Sequence, residues 1–232
     1  MTDEQRFRDC LQDESAWFST LSDRVRSSLA AAGRFHRIKA GAAVYRQGDS
    51  PDGLYAVLEG RIRLVAWSPG GVGCLLLIAS PGMWFGEVST IDGEPRQQDA
   101  LAQVDSLVAR IPLERLVTLA VEQPDLWRQI GRLACSHQRD AIRHIQDLLG
   151  LPLPARVAKV LLACAAGNGE RVILTQEELA GTCGMGRQTA NAILRSLARA
   201  GAVQLGYRAI IVADARQLTG IAAGEIFLDH KE

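Results

Sequence analysis

One stretch constrains the fold more than any other: LTQEELAGTCGMGRQTANAILRSLARAG, residues 174–201. Thr175 and Glu178 have the Thr-x-x-Glu spacing of a capping box, which predicts a helix beginning at about Gln176. A Gly-Met-Gly sequence at 184–186 interrupts that helix after two turns. The pattern therefore predicts two short helices joined by a tight turn.

The second of these helices, predicted over 187–200 and ended by Gly201, is amphipathic. Its apolar face holds Ala190, Ile193, Leu194 and Leu197. Its polar face holds Arg187, Gln188, Asn191 and Arg195. In the DNA major groove, Arg can read guanine edges, and Gln or Asn can read adenine edges. The pattern predicts a helix-turn-helix whose second helix enters the major groove.

A β-hairpin is predicted directly after this helix. Val203–Leu205 and Ala209–Val212 flank a Gly-Tyr-Arg tip, and a helix-turn-helix followed by a hairpin is a winged helix. Arg208 at the tip is placed to reach a DNA phosphate. Between Leu179 and Ala213 the chain has arginines but no Asp or Glu, which is typical of a surface that faces phosphates.

The region from 35 to 112 has a different residue pattern, one of short strand-like runs separated by turns. Short β-branched and aromatic runs, such as AVYRQG and CLLLIA, alternate with Gly, Pro and Asp turns. This pattern predicts an antiparallel barrel, roll or sandwich. Within it, LYAVLEGRIRLVAW alternates about Glu59-Gly60 and predicts a hairpin. A helical lead-in is predicted over 14–32 from the spacing of Trp17, Leu21, Val25 and Leu29.

From Pro124 to Leu149 the period becomes helical. Two seven-residue series form an a/d-like seam of about three heptads, which is typical of a helix that pairs with a copy of itself. The predicted dimer interface consists of Trp127, Ile130, Ala134, His137, Ala141 and Leu148. One-sided packing on the strands, through Leu126, Leu133 and Ile145, is the alternative, and both faces can be used. GLPLP at 150–154 ends the helix, and another helix is predicted over 155–166.

Composition argues against several classes of protein. Formal net charge is zero, so any DNA binding depends on local charge. The five cysteines include no Cys-x-x-Cys pair, which indicates free thiols in a reducing cytoplasm and neither an iron–sulfur cluster nor a zinc site. The sequence has no P-loop, G-x-S-x-G, G-x-G-x-x-G or H-E-x-x-H motif, and its four histidines are dispersed. We predict a cytoplasmic protein without enzymatic activity, membrane span or secretory signal.

The helix-turn-helix stretch and the residues after it resemble the winged helix of the cyclic-AMP receptor protein / fumarate–nitrate regulator (CRP/FNR) family. That family's recognition helix usually starts with Ser-Arg-(Glu/Gln)-Thr. The order of elements is also similar, over about residues 20–220. The resemblance implies an α+β fold with four parts. These are an antiparallel β-roll sensor domain (1–123) of the cyclic-nucleotide-binding, double-stranded β-helix type, a dimerisation helix (124–149), a hinge (150–154) and a winged helix-turn-helix domain (155–232).

The resemblance implies a homodimeric, sequence-specific transcription regulator that binds a near-palindromic operator in double-stranded DNA. It also implies contact with RNA polymerase at the turn 166–171. The implied DNA-binding residues are Thr175, Arg187, Gln188, Thr189, Asn191, Arg195, Arg199 and Arg208. The chain departs from the pattern at Gly186, where Ser is usual. Gln188 and Ala192 stand where the founding member has the Glu and second Arg that read its operator, so a different operator is expected. A non-DNA interaction module is the alternative class.

FGEVSTIDGEPR, residues 85–96, resembles the phosphate-binding cassette of cyclic-nucleotide domains, whose pattern is Gly-Glu, a short helical turn and Gly-x-Pro-Arg. In that resemblance Glu87 accepts a hydrogen bond from a ribose hydroxyl, and the Val88 N–H and the Arg96 guanidinium bind the phosphate. The implied effector-binding residues are Gly86, Glu87, Val88, Arg96, Gln97 and Ala141.

The neighbours of the cassette depart from the family. Gln97-Gln98-Asp99 replace the small residues that follow the Arg in cyclic-nucleotide binders, and an inward Asp99 would repel an anion. Ala141-Ile142 stand where a Thr-Ser pair holds adenine in the cyclic-AMP receptor, and neither side chain can form a hydrogen bond.

Three interpretations of the pocket stay open. It binds another small effector, it binds none and Arg96 pairs with Glu87, Asp92 or Glu94, or, the least favoured, it binds a cyclic nucleotide. The cofactor is therefore unknown. A haem group also stays open, and His36 is the one histidine in or beside the roll.

Overall fold

The computed structural model describes Phe7 and residues 17–67, 73–165, 171–206 and 209–226. Contacts divide the chain into two compact units, residues 1–67 with 76–139 and residues 68–75 with 140–232. One boundary therefore falls inside a long helix, between Arg139 and Asp140. The first unit contains most of the strands, and the second contains the C-terminal helices.

Two four-stranded antiparallel sheets contain most of the strands, and all their residues except 73–75 belong to the first unit. One has the order β1-β8-β3-β6 and the other β2-β7-β4-β5. The strands are β1 Arg34–Ile38, β2 Ala43–Tyr45, β3 Gly53–Glu59, β4 Ile62–Trp67, β5 Gly73–Ala79, β6 Trp84–Phe85, β7 Asp99–Ala102 and β8 Ser106–Pro112. The predicted antiparallel roll is confirmed.

The central strand β3 is buried on both faces. Because side chains alternate along a strand, Leu54 and Ala56 enter one apolar cluster, which also contains helix residues. Tyr55 and Val57 enter the second cluster, with residues of the other sheet. This double coverage explains why β3 reads as a nearly continuous apolar run.

The predicted hairpin about Glu59-Gly60 is wrong. β3 and β4 belong to different sheets, so the turn between them carries the chain from one sheet to the other. Gly60 has a φ of 82°, and a Cβ there would lie 2.3 Å from the Ser106 hydroxyl, so only glycine fits this crossing. Alternation in one segment reports which side chains are buried but not which strand is the neighbour.

Four helices complete this part of the chain: α1 Asp23–Ala32, α2 Glu87–Asp92, α3 Leu113–Glu122 and α4 Leu126–Gly150. α1 begins later than the predicted lead-in, because the Ser22 side chain accepts a hydrogen bond from the Val25 N–H and caps the helix there. Residues 14–16 lie outside the described part. α3 was not predicted.

The start of α4 packs on the roll. Leu126, Ile130 and Leu133 belong to the same apolar cluster as β3 and β8. The one-sided packing predicted for Leu126 and Leu133 is therefore confirmed, whereas Ile145 is 54% exposed and does not share that role.

The second unit contains helices on a small sheet. Its elements after α4 are α5 Leu153–Ala165, β9 Arg171–Val172, α6 Gln176–Thr182, α7 Arg187–Arg199, β10 Val203–Gly206, β11 Ala209–Val212 and α8 Ala215–Ala223. β10 and β11 form the predicted hairpin, with Gly206 opposite Ala209. β9, which was not predicted, pairs with β11 as a third strand, and α8 was missed as well.

The capping box is present as predicted. The Thr175 hydroxyl accepts a hydrogen bond from the Glu178 N–H at 3.1 Å, and the Glu178 carboxylate accepts one from the Thr175 N–H at 2.8 Å. Two N–H groups at the start of α6 are thereby satisfied. No helix in the described ranges has both the length and the apolar character needed to cross a bilayer.

Candidate functional site

A concave site lies beside α2 in the first unit. The cassette prediction placed Gly86, Glu87, Val88, Arg96 and Gln97 together, and all five line this site. Tyr45, Ser89 and Gln98 complete the lining. Ala141, an exposed residue assigned to the second unit, is not among the lining residues.

Arg96 is held inside the protein and is only 2% exposed. Its Nη1 donates to the Gly86 carbonyl at 2.7 Å, and its Nη2 donates to the Gly53 carbonyl at 2.7 Å and to Asp52 Oδ1 at 2.9 Å. Gly86 has a φ of 84°, and a Cβ there would lie 2.7 Å from Arg96 Nη1. Glycine at 86 therefore lets the backbone approach the guanidinium.

The acid that pairs with Arg96 is Asp52, not Glu87, Asp92 or Glu94 as the sequence suggested. Asp52 Oδ2 also accepts hydrogen bonds at 2.7 Å from Arg110 Nη1 and from the Tyr55 hydroxyl. Burial by itself would raise the pKa of Asp52. The hydrogen bonds from Tyr55, Arg110 and Arg96 outweigh that effect and hold the pKa below its usual value.

Glu87 is tied to α4. Its carboxylate lies 2.9 Å from His137 Nδ1, and the Glu87 side chain is 6% exposed. The residue predicted to hold a ribose hydroxyl therefore already has a protein partner. That partner, His137, was predicted as a dimer-interface residue, and within its own chain it contacts the cassette.

Asp99 does not face the pocket. Its carboxylate accepts hydrogen bonds from Arg46 Nη1 at 2.9 Å, from the Gln47 N–H at 2.7 Å and from Trp67 Nε1 at 3.0 Å. Burial would raise the pKa of Asp99, but these donors hold it below its usual value. The condition for repulsion of an anion, an inward-facing Asp99, is therefore not met, because this carboxylate is bonded elsewhere.

In the second unit, α7 divides into a buried and an exposed face, as its sequence predicted. Ala190, Leu194 and Leu197 are each at most 1% exposed, and Ile193 is 8% exposed. The exposed predicted DNA-binding residues are Thr175, Arg187, Gln188, Thr189, Arg195 and Arg199. Asn191 is half-buried, and its Oδ1 has no hydrogen-bond partner in the described part of the chain. Arg208 and residues 166–170 of the predicted polymerase-contacting turn lie outside the described residues.

The exposed face of α4 differs from the predicted seam. Ile130 is completely buried within its own chain and has no surface to offer a partner, and Trp127 packs partly on the same cluster. Ala134, His137 and Leu148 are half-buried. Among the exposed residues of α4, the large apolar side chains Ile142, Ile145 and Leu149 recur at three- and four-residue spacing. This stripe is a heptad seam shifted by one position. Its spacing was present in the sequence, but the choice between the two seams required knowing which face packs on the roll.

Two family models match the chain. The cyclic nucleotide-binding domain matches residues 35–123, and the Crp-like helix-turn-helix domain matches residues 155–221. The chain is 30% identical over 186 residues to a CRP-like cAMP-activated global transcriptional regulator of Mycobacterium tuberculosis, covering 77% of this chain and 83% of that protein. It is 31% identical over 185 residues to the cyclic AMP receptor protein of Thermus thermophilus, covering 79% of this chain and 86% of that protein.

The fold is also similar to solved structures. A CRP/FNR transcriptional regulator from Thermus thermophilus superposes with a TM-score of 0.69 at 28% identity, covering 82% of this chain and 98% of that one. The chain belongs to the CRP/FNR family. The predicted class, a DNA-binding transcription regulator with a cyclic-nucleotide-binding domain, is thereby confirmed.

The chain departs from the usual CRP/FNR pattern at the start of α7. Gly186 precedes α7 and provides no side-chain cap. The α6 cap, in contrast, is complete. In this CRP/FNR regulator the first N–H groups of α7 are therefore left without a side-chain partner from the N-cap position, and they remain available to an external acceptor such as a phosphate oxygen.

Proposed function

We propose that this CRP/FNR regulator binds a near-palindromic operator as a homodimer, with one α7 helix in the major groove of each half-site. The observation that carries the proposal is the division of α7. Its apolar face is buried, while Arg187, Gln188 and Arg195 are exposed. Thr175, Thr189, Asn191, Arg199 and Arg208 are proposed as further DNA contacts.

The surrounding charge supports this role. The absence of Asp and Glu from Leu179 to Ala213 keeps negative charge out of the sequence around α7. The arginines there are suited to phosphates and guanine edges. Such contacts make affinity fall with salt, because each neutralised phosphate releases counterions.

We assign the homodimer interface to the exposed stripe of α4. Ile142, Ile145 and Leu149 are 46%, 54% and 83% exposed. A second copy of the same stripe would remove these side chains from water, and dimerisation is typical of the family. Ala134, Ala141 and Leu148 would then lie at the edge of the interface. Residues 150–154 are proposed as the hinge. RNA polymerase is proposed as a protein partner, and the cytoplasm as the location of the protein.

The roll is proposed to sense a small effector, whose binding changes the equilibrium between conformations of the dimer. The pairing of Arg96 with Asp52 favours a ligand other than the family's usual nucleotide. It also favours the second candidate, a regulator that needs no ligand. No catalytic role is proposed.

Selection from random double-stranded DNA tests the function directly. The full-length protein should enrich a near-palindrome with half-sites about one helical turn, roughly 34 Å, apart. Affinity for that site, measured by gel shift at two salt concentrations, should fall at the higher salt. An enriched pool without two half-sites, or an affinity independent of salt, would overturn the proposal.

The interface is tested by Ile145→Asp, which places two carboxylates in the stripe of a dimer. Sedimentation should show a monomer where the unaltered protein is a dimer. Ser136→Asp is the matched control, because Ser136 is exposed on the same helix but lies off the stripe. If Ile145→Asp remains dimeric, the interface lies elsewhere.

A further inference from the structure

Two cationic side chains of α5 bond to three neighbouring parts of the second unit. Lys159 Nζ lies 2.6 Å from Asp147 Oδ1, in the last turn of α4. Arg156 Nε donates to the Leu151 carbonyl at 2.8 Å, and its Nη1 donates to the Cys183 carbonyl over a longer 3.4 Å. All these residues belong to the second unit. α5 is therefore bonded to the end of α4, to the segment that follows α4 and to the turn before α7.

The end of α4 also packs on the turn before α7. A Cβ built on Gly184, in that turn, would lie 3.6 Å from Leu148 Cδ2 and 3.9 Å from Arg156 Nη1. The Leu151 N–H donates to the Asp147 carbonyl at 3.0 Å and so continues the hydrogen bonding of α4 beyond its end. Because these contacts act together, the last turn of α4, the start of α5 and the turn are held as one group.

This group connects the DNA-reading helix to the proposed dimer interface. α7 begins at Arg187, shortly after Cys183, so the position of the turn determines where α7 starts. On α4, Asp147 lies between Ile145 and Leu149 of the exposed stripe. In the proposed dimer two stripes meet, so the bonds of α5 set the direction of each α7 relative to the interface. The half-site spacing of a palindromic operator follows from that direction and from the distance between the two helices.

We propose that Lys159 is a positioning residue, which with Arg156 fixes α7 relative to the dimer interface and thereby sets the half-site spacing of the operator. The proposal deepens the DNA-binding part of the proposed function and rests on it. The side chains of Lys159 and Asp147 are 45% and 29% exposed, so solvent screens this pair only in part. One added base pair turns a half-site by about 34° around the DNA axis, since a full turn takes about 10.5 base pairs. Fixed α7 helices should therefore discriminate between spacings.

The test uses the full-length protein and the operator enriched by selection, with two further versions in which the half-sites are one base pair closer or farther apart. Affinities are measured by gel shift at one salt concentration. The spacing preference is the ratio of the affinity for the enriched operator to that for an altered one. Lys159→Gln should reduce this ratio about fivefold, the factor at the upper end of the range for ion pairs near the surface. Loss of a phosphate contact would weaken all three complexes alike, so the ratio distinguishes positioning from direct DNA binding.

Two further variants test the charge of the pair. Lys159→Arg keeps the charge and should keep the spacing preference. The exchange of both charges, Asp147→Lys with Lys159→Asp, should recover most of the preference that Lys159→Gln loses. Arg128→Gln is the matched control, because it breaks an exposed ion pair with Asp125 near the start of the same helix, and its preference should be unchanged. Sedimentation checks that every variant is still a dimer.

Three results would overturn the proposal: the unaltered protein binds all three spacings equally, Lys159→Gln keeps the full preference, or the exchanged pair recovers none of it. A protein that binds a near-palindrome with a preference independent of Lys159 contradicts only this proposal. Failure of the unaltered protein to enrich any near-palindrome contradicts the DNA-binding function itself.

Discussion

Arg96 in the pocket and Arg187 at the start of α7 carry the same guanidinium group in opposite environments. Arg96 is 2% exposed and bonded to an acid and two carbonyls. Arg187 is exposed, and within the described residues no hydrogen bond or ion pair involves it. Arg96 lies in a motif that resembles the family's phosphate-binding cassette, and Arg187 lies in one that resembles its DNA-reading helix, yet only Arg187 presents its full charge to solvent.

Because their surroundings differ, we expect Arg96 to contribute to the stability of the fold and Arg187 to contribute to binding. A buried guanidinium that is bonded on several sides contributes to the fold, and its removal leaves buried partners unsatisfied. An exposed guanidinium without partners contributes little to stability, so its substitution reports on binding. Three substitutions test this difference between stability and binding.

The largest effect is expected for Arg187→Ala on operator binding. A bidentate contact to guanine is worth about 2 kcal/mol, and two helices per dimer make the loss about 4 kcal/mol, roughly a thousandfold in affinity. Its free energy of unfolding should change by less than about 0.5 kcal/mol. Gel shifts and urea titrations measure the two quantities.

Arg199→Ala is the control for that variant, because Arg199 is exposed in the last turn of the same helix. It should weaken binding to specific and random DNA alike and reduce the salt dependence. Specific binding retained by Arg187→Ala would contradict the assignment of α7 as the recognition helix.

Asp52→Asn should have the next largest effect, on the unfolding free energy. Losing one partner of a buried ion pair costs about 3–5 kcal/mol. We expect about 2 kcal/mol here, because the Asp52 side chain is 41% exposed. Since folding lowers the pKa of Asp52 below 3.8, its charged form stabilises the fold above that pH. The difference between the two proteins in urea titrations should therefore narrow as the pH falls below 3.8.

Asp105→Asn is the matched control, because Asp105 bonds to Lys39 at 2.7 Å in an exposed pair on the same unit. Asp105→Asn should lower the free energy of unfolding much less than Asp52→Asn does, because exposed ion pairs contribute little to stability. Equal effects of the two substitutions would show that Arg96 is not held by Asp52 in solution.

The smallest effect is expected for Thr175→Ala. Losing the N-cap hydroxyl of α6 should lower the free energy of unfolding by about 1 kcal/mol. Thr175→Ser keeps the hydroxyl, so its free energy of unfolding should match that of the unaltered protein. If Thr175 also contacts phosphate, as proposed, Thr175→Ala weakens DNA binding more than its stability loss explains. Unchanged stability in the alanine variant would show that the capping box does not form.

Much of the C-terminal part was predictable because its signals are local. The capping residues of α6 are three positions apart, and the buried positions of α7 recur within one or two turns. The cassette residues at 86–88 and 96–97 were placed together correctly for a similar reason, since they are nearby in the chain. The third strand β9 was missed because its two residues carry too little pattern to distinguish from a loop.

Other features depend on residues far apart in sequence. Asp52, the residue before β3, reaches Arg96 and Arg110, and no spacing rule connects those three positions. The exposed stripe of α4 could not be identified from the sequence, because both heptad series contain apolar residues at the spacing of a helix seam. Packing on the roll buries residues of one series and so distinguishes the two.

The family, the winged helix and the residues that α7 exposes could be read from the amino-acid order, because caps and helical periodicity act within a few residues. The sheet that each strand joins, the acid that neutralises Arg96 and the face of α4 that stays exposed depend on the folded chain. These outcomes follow from burial and hydrogen bonding among strands and helices that the chain brings together only when it folds. They also decide how much positive charge the pocket keeps for a ligand.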